Sequence, residues 1–396
     1  MLNRLSDARR TIARSLALFS VIWLAACEMA PVSTGGSGPR INTSRPVTVA
    51  LLVPGGSQIE TDAFLAANLE NAARLAVADV QNANIDLRVY NTAGDPQQAS
   101  IVATQAVKDG AKIILGPLYG EAAIAAGVAV GPTGVNVLAF SNNPTIAGGN
   151  VFLLGPTFEN TASRLVRHAI GQGNVRIATI HGDTFAGEIG SDAVSNAAIA
   201  NGAQVTHIAS YPLSQQGIAS SVNSIVENVK QSGATATFLT GTPAGEGADL
   251  PFILPALNAA GLSPTNQQFF GLTQWSSNPQ VVSLVGAQGS LFTLPDTRPT
   301  AEFEARYTAA YSETPHPLAG LAYDGIAAIG ALIASGRSDA LTIEAITTSQ
   351  GFRGTKGIFR FLPSGLNERA LAIATIQNNQ VIIVDPAPTS FGSAGL

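Results

Sequence analysis

The chain has 396 residues, more than one hydrophobic core usually serves, so its length points to two lobes of roughly 100–200 residues each. Only 12% of the residues are charged while 46% are hydrophobic, which excludes disorder, and a net charge of −5 without runs of Lys or Arg argues against a nucleic-acid partner. The single cysteine excludes a disulfide framework and a thiolate metal cluster, and His168, His181, His207 and His316 show no ligand spacing, so no metal or cofactor is expected.

The N-terminal residues read as a processing segment. Arg4, Arg9, Arg10 and Arg14 lead into an apolar stretch, Leu16 to Ala26, that is too short to span a bilayer. It ends Leu24-Ala25-Ala26-Cys27, which resembles the bacterial lipoprotein signal, in which cleavage precedes the cysteine and lipid is attached to its sulfur. An ordinary cleaved signal peptide with an incidental Cys27 is the alternative. The resemblance implies a signal peptide over 1–26, lipid attachment at Cys27 and contact with the membrane through that anchor only. Glu28, in place of Asp, implies sorting to the outer membrane. Residues 27–45, rich in Gly, Ser and Pro, are expected to form a flexible tether. A second uncharged stretch, Ala122 to Asn142, is broken by Gly127, Gly131, Pro132 and Gly134, and reads as helix, turn and buried strand, with no membrane crossing.

From Val47 onward, strand-like and helix-like runs alternate. Strands are expected at Val47–Val53, Ile85–Tyr90, Lys112–Leu115 and Val135–Ala139, with helices at Asp62–Val80, from Asp95-Pro96, and at Tyr119–Val130. The plan then restarts with Val151–Leu154, followed by strands at Val175–Ile180, Val205–Ser210, Ala236–Thr240 and Gln268–Gly271. Helices at Phe158–Ile170, Gly187–Ala200, Ile218–Gln231 and Pro251–Ala260 separate them. Helices Glu302–Tyr311 and Ala319–Ala334 are expected to return to the first lobe, followed by strands Gly357–Phe361, Ala372–Gln377 and Val381–Val384, the last two a hairpin. Such alternation gives an α/β fold of two doubly wound parallel-sheet lobes. The first lobe would hold residues 46–142 and 275–350, the second 150–272 and 355–388, with a three-segment hinge near 141–150, 272–296 and 345–355.

Ligands of open parallel sheets sit beyond the carboxyl ends of the strands, where helix N-termini point inward. That rule selects Gly56 and Ser57, Tyr119 and Gly120, and Ser141 and Asn142 in the first lobe, with Ser141 foremost because it follows a buried strand directly. In the second lobe it selects Thr184 and Phe185, Thr242, and Gln274 and Trp275. These loops offer backbone, hydroxyl, amide and aromatic contacts. No Gly-x-Ser-x-Gly, Ser-x-x-Lys, His-Glu-x-x-His or Walker pattern accompanies them, so no catalytic residue is expected and the chain reads as a non-enzyme.

Val49-Ala50-Leu51-Leu52-Val53-Pro54, Asn91-Thr92-Ala93-Gly94-Asp95-Pro96, Gly110 through Leu118, and Leu138-Ala139-Phe140-Ser141-Asn142 resemble the type I periplasmic-binding fold, in its leucine/isoleucine/valine-binding branch. Within that branch, Ala322-Tyr323-Asp324-Gly325, Gly351-Phe352-Arg353-Gly354, Gly357 through Phe361 and Asp385-Pro386-Ala387-Pro388 resemble the penicillin-binding protein activators, which are bacterial lipoproteins. The resemblance implies that Tyr119, Gly120 and Ser141 hold a ligand carboxylate and that Phe185 packs on the ligand. It also implies an acid after the strand near 268–271, paired with a ligand ammonium, and there the chain has Thr273-Gln274-Trp275 instead. Two functions follow from the resemblance. The first is a lipid-anchored periplasmic regulator that activates a peptidoglycan synthase as its protein partner. The alternative is the substrate-binding component of an ABC importer for branched-chain amino acids or a related small polar metabolite, held in the cleft between the lobes.

Overall fold

The structure, a computed structural model, describes residues 38–245 and 247–392. The signal peptide, Cys27 and the tether through residue 37 lie outside the described residues. The first sheet is built from β1 (Val47–Val53), α1 (Glu60–Asp79), β2 (Ile85–Asn91), α2 (Pro96–Lys108), β3 (Ile113–Leu115), α3 (Gly120–Val130), β4 (Asn136–Ala139) and β5 (Val151–Leu153). Its five strands run parallel in the order β2-β1-β3-β4-β5. β3 and β4 are buried along their whole length, as strands covered by helices on both faces must be. α2 begins where the sequence says it should: the Asp95 carboxylate accepts from Gln98 N at 2.7 Å and Pro96 opens the first turn.

The same plan repeats. α4 (Phe158–Gly171), β6 (Arg176–Gly182), α5 (Phe185–Ala200), β7 (Gln204–Tyr211), α6 (Gln215–Gln231), β8 (Ala236–Leu239), α7 (Leu250–Ala259), β9 (Gln268–Gly271), α8 (Pro279–Ser283) and β10 (Leu291–Leu294) make the second lobe. The chain then forms α9 (Thr297–Tyr311), α10 (Ala319–Ala334), α11 (Ile343–Ile346) and a small antiparallel sheet, β11 (Phe352–Gly354), β12 (Gly357–Phe361) and β13 (Asn367–Arg369). It ends in the hairpin β14 (Ala372–Gln377) and β15 (Gln380–Asp385). The second sheet is ordered β15-β14-β10-β9-β8-β6-β7, so β7-β6-β8-β9-β10 reproduces the strand order of the first and the hairpin adds two antiparallel strands.

Three boundaries differ from the sequence expectation. Val151–Leu153 does not open the second lobe: β5 pairs with β4, Val137 opposite Val151, and completes the first sheet. The turn that precedes it, with Gly148 at φ 126°, mimics a linker in sequence but is an internal bend. Residues 275–294 do not belong to the first lobe, because β10 pairs with β9 and Trp275 and Phe292 pack in the second lobe's core. Conversely, Phe352, Phe359 and Phe361 of the small sheet join the core beside α10, in the first lobe. The end of the tether is also not free. Ile41 is buried, and its N–H donates to Ser338 O at 2.8 Å, just beyond α10.

The crossings are tied together from β13. Asn367 Nδ2 donates to the carbonyls of Leu153 and Gly155, each at 2.8 Å, and Arg369 donates to Leu154 O at 2.5 Å. On the α4 side, Asn160 closes a capping box with Thr157 and donates to Asn367 O at 2.8 Å. Arg369 also faces Asp324 of α10 at 3.5 Å, with both side chains almost wholly buried, and the carboxylate accepts from Thr355 N at 2.6 Å. Burial pushes the Asp324 carboxyl above its ordinary range and Arg369 pulls it back. Removing one partner of such a pair strands a buried charge. Arg369→Met is therefore expected to destabilise the protein by about 3–5 kcal/mol in urea unfolding, whereas the double variant Arg369→Met/Asp324→Leu recovers most of that loss. Equal destabilisation by the single and double variants would refute the ion-pair account.

Candidate functional site

A cavity of about 470 Å³ opens between the lobes. Asn142, Asn143 and Pro144, beyond β4, form its first-lobe side. Phe185 and Ile189 of α5, with Leu272 and Gln274 beyond β9, form the opposite wall. The described residues that line it carry no charge. Phe185 is 66% exposed, an aromatic ring held at the start of a helix over open space. The start of that helix is fixed by Thr184, whose hydroxyl accepts from Gly187 N at 3.0 Å. Thr184 thus holds α5 in place rather than lining the cavity.

Next to the first-lobe wall, three groups converge. Ser141 is buried and its Oγ accepts from Asn143 N at 3.2 Å. A Cβ placed on Gly120 would lie 3.7 Å from Ser141 Oγ and 3.8 Å from Asn143 Nδ2. Gly120 opens α3, whose first turn has no side-chain cap, so its free N–H groups and positive dipole end face the same spot as the Ser141 hydroxyl and the Asn143 amide. Such an arrangement suits a carboxylate.

Behind Gly120 lies a second cluster that the sequence reading misses. The Tyr119 hydroxyl donates to Asp62 Oδ1 at 2.5 Å, and a Cβ on Gly94 would sit 3.4 Å from Asp62 Oδ2 and 3.5 Å from Ser57 Oγ. Asp62 is only 2% exposed and its Oδ2 has no hydrogen-bond partner. Burial, and then the hydrogen bond to Asp62, push the Tyr119 phenol up to about 12. Asp62 escaped notice because an acid in the first turn of a helix reads as an ordinary favourable end charge. Ser57 belongs with this cluster, and neither Gly56 nor Ser57 lines the cavity between the lobes.

Two further expected contacts are corrected. Trp275 is fully buried in the second lobe's core, its indole folded back over Gly271, where any Cβ would overlap the ring. It cannot reach the cavity. Thr242 is held in a loop by Asp249, which accepts from its N–H at 2.5 Å and from the Tyr211 hydroxyl at 2.8 Å, and it does not line the cavity either. His181, at the end of β6, is buried with its Nδ1 against Gly182 O at 2.9 Å. Among the described residues no cluster of His, Cys, Asp or Glu could hold a metal ion.

The sequence profile of a family described as periplasmic binding protein matches residues 46–380. This chain belongs to the periplasmic binding protein family. Solved structures give the same fold at low identity. A branched-chain amino acid ABC transporter periplasmic ligand-binding protein from Burkholderia xenovorans is 17% identical with a TM-score of 0.62, over 86% of this chain and 96% of that one. A substrate-binding protein from Desulfitobacterium hafniense in complex with Leu is 16% identical with a TM-score of 0.58, over 86% and 100%. A solute-binding protein from Rhodopseudomonas palustris in complex with 3,4-dihydroxybenzoic acid is 18% identical with a TM-score of 0.53, over 88% and 98%. A search of curated proteins finds no match. In this periplasmic binding protein, Asn142, Phe185 and Gln274 are brought together at the cavity, and Gly120 and Ser141 lie beside it.

The Tyr119–Asp62 contact can be read directly. Asp62→Asn removes the negative charge that disfavours the phenolate while burial still holds the phenol up, so the Tyr119 pKa is expected to fall below about 12 but stay above its ordinary value in a near-ultraviolet absorbance titration. Tyr119→Phe identifies the phase by abolishing it. An unchanged titration in Asp62→Asn would show that the two groups do not interact.

Proposed function

We propose that this chain is the solute-binding component of an ABC importer, working in the periplasm, and that its cleft takes a small aliphatic or aromatic carboxylate. One observation carries the reading: the inter-lobe cavity is uncharged on its described walls, beside an uncapped helix N-terminus with Ser141 and Asn143. Leu and 3,4-dihydroxybenzoic acid, bound by two proteins of the same fold, both carry a carboxylate, which supports the assignment. The second-lobe wall argues against an ammonium. Gln274 stands where an acid would be needed, and a buried ammonium without a counter-charge costs several kcal/mol by order of magnitude.

The regulator of a peptidoglycan synthase, expected first from sequence, has less support. Asp324, Gly354 and the Gly357–Phe361 strand, which carried that resemblance, have a sufficient explanation in the packing at the hinge. A Cβ at Gly354 would stand 2.7 Å from Asp324 Oδ2, and Phe359 and Phe361 fill the core beside α10. Lipid attachment at Cys27, with an outer-membrane address, remains part of the proposal for either reading.

Titration calorimetry against matched pairs tests the importer reading. The full chain is expected to bind 4-methylpentanoate at least about tenfold more tightly than leucine, a difference of about 1.4 kcal/mol or more. Gln274→Glu narrows or reverses that preference, and Phe185→Ala weakens both ligands without loss of fold, since its ring is exposed. Tighter binding of leucine by the unaltered protein would overturn the carboxylate assignment. Absence of any small-molecule binding, together with stimulation of a synthase by the purified chain, would overturn the importer reading itself.

A further inference from the structure

A second cavity, of about 580 Å³, shares no lining residue with the cleft. Its walls come from the N-terminal half of α9, from α10, from the turn between β11 and β12, and from the segment after β15. The first turn of α9 is fastened to that β-turn. The Thr300 hydroxyl donates to Thr355 O at 2.9 Å, and a Cβ on Gly357 would lie 3.4 Å from Asp296 Cβ. Arg298 and Arg353, on either side of this contact, therefore border one space.

In charge this cavity is the reverse of the cleft, since Asp296, Arg298, Glu302, Arg306 and Arg353 all line it. Two of the five are engaged. Arg306 is paired with Asp79 and donates to the Tyr323 hydroxyl at 3.2 Å, and Asp296 caps α9 by accepting from Arg298 N at 3.1 Å. The guanidiniums of Arg298 and Arg353 and the carboxylate of Glu302 form no hydrogen bond or ion pair with any described residue. Arg298 and Glu302 nevertheless stand one helical turn apart, the spacing at which opposite charges pair. Comparable neighbours elsewhere do pair, Arg74 with Glu70 at 2.7 Å and Arg337 with Asp339 at 2.9 Å.

We propose that this cavity binds a short peptide with free ends, its carboxylate on Arg298 and Arg353 and its ammonium on Glu302. Charge selects the class. A plain anion suits the guanidiniums but meets two carboxylates, and a plain cation meets the reverse. A zwitterion satisfies both signs, and a guanidinium can hold a carboxylate through two parallel hydrogen bonds. Phe303, Ile358 and Pro388 give the same space apolar surface for the peptide's side chains. The volume lies within the roughly 300–1,000 Å³ of small-molecule sites and exceeds that of the cleft, which suits more than a single amino acid. The assignment does not rest on what the cleft holds.

Titration calorimetry of the full chain with alanine peptides of two to four residues, read beside hydrogen exchange, tests the site. Free-ended peptides are expected to bind and to slow exchange in residues 298–306 and 353–358. N-acetylation or C-terminal amidation of the peptide each weakens binding at least about tenfold. Arg353→Gln and Glu302→Gln, at exposed positions, lower the affinity by a similar factor without changing thermal unfolding, whereas Phe185→Ala in the cleft leaves it unchanged. A doubly blocked peptide that binds as tightly as the free one, or succinate that binds more tightly than any of the peptides, overturns the proposal. So does an absence of binding, and so does its loss in Phe185→Ala, which would place the peptide in the cleft.

Discussion

The carbonyls of residues 153–155 must be satisfied at the point where the chain leaves one sheet for the other, and β13 is what satisfies them. Asn367 and Arg369 reach all three, and Arg369 can be buried there only because Asp324 neutralises it from α10. A buried donor or acceptor left without a partner costs about 1–3 kcal/mol, and a charge costs more, so these groups fix one path for the crossing. With that path fixed, the loop after β4 and the start of α5 face each other across a cavity of defined size. The cleft is therefore a product of the junction as much as of the strands that border it.

What that cleft can hold follows from what it lacks. Its described walls are amide, hydroxyl, aromatic and aliphatic, and the one strong electrostatic feature beside it is the uncapped start of α3. A helix N-terminus favours negative charge, and no acid stands opposite to favour a positive one. Under the importer reading proposed above, a ligand with a carboxylate at one end and an uncharged body would lie with Phe185 over the body and the Ser141–Asn143 corner at the anionic end. Asp62 does not alter this balance, because one of its oxygens is engaged by Tyr119 and the residue is closed over by Gly94 and Ser57.

Much of this was legible in the residues. β9 and α10 stand where periodicity places them, because each is a long or glycine-bounded apolar run. Parallel pairing could be expected from alternation, since strands joined through helices return in the same direction. β10, β11 and β13, at three or four residues each, carry no period that distinguishes them from loop, and missing β10 is what assigned residues 275–294 to the wrong lobe. For the site, the rule that ligands sit beyond strand ends led to Asn142, Phe185 and Gln274, which line the cavity, and to Ser141 beside it, but could not tell which neighbours turn inward. Trp275 follows Gln274 directly, yet the missing side chain of Gly271 leaves room for the indole to fold into the core. Only the packing decides between adjacent residues.

The distribution of charge joins these observations. In a chain where only 12% of residues are charged, the described walls of the cleft carry no charge and several ion pairs stand at the lobe junction, while others lie apart from it on α1, on β2 and beyond α10. Glu368 of β13 meets Arg360 of β12 at 2.6 Å and Arg167 of α4 at 3.7 Å, Asp324 meets Arg369, and Asp385 meets Arg164. Pairs of this kind are directional and costly to break singly, whereas apolar contacts tolerate sliding. Placing several of them at the junction makes the crossing specific, and the described walls of the cavity are left to neutral groups. The same economy of charge leaves β15, the outermost strand of the second sheet, with four exposed aliphatic side chains from Val381 to Val384.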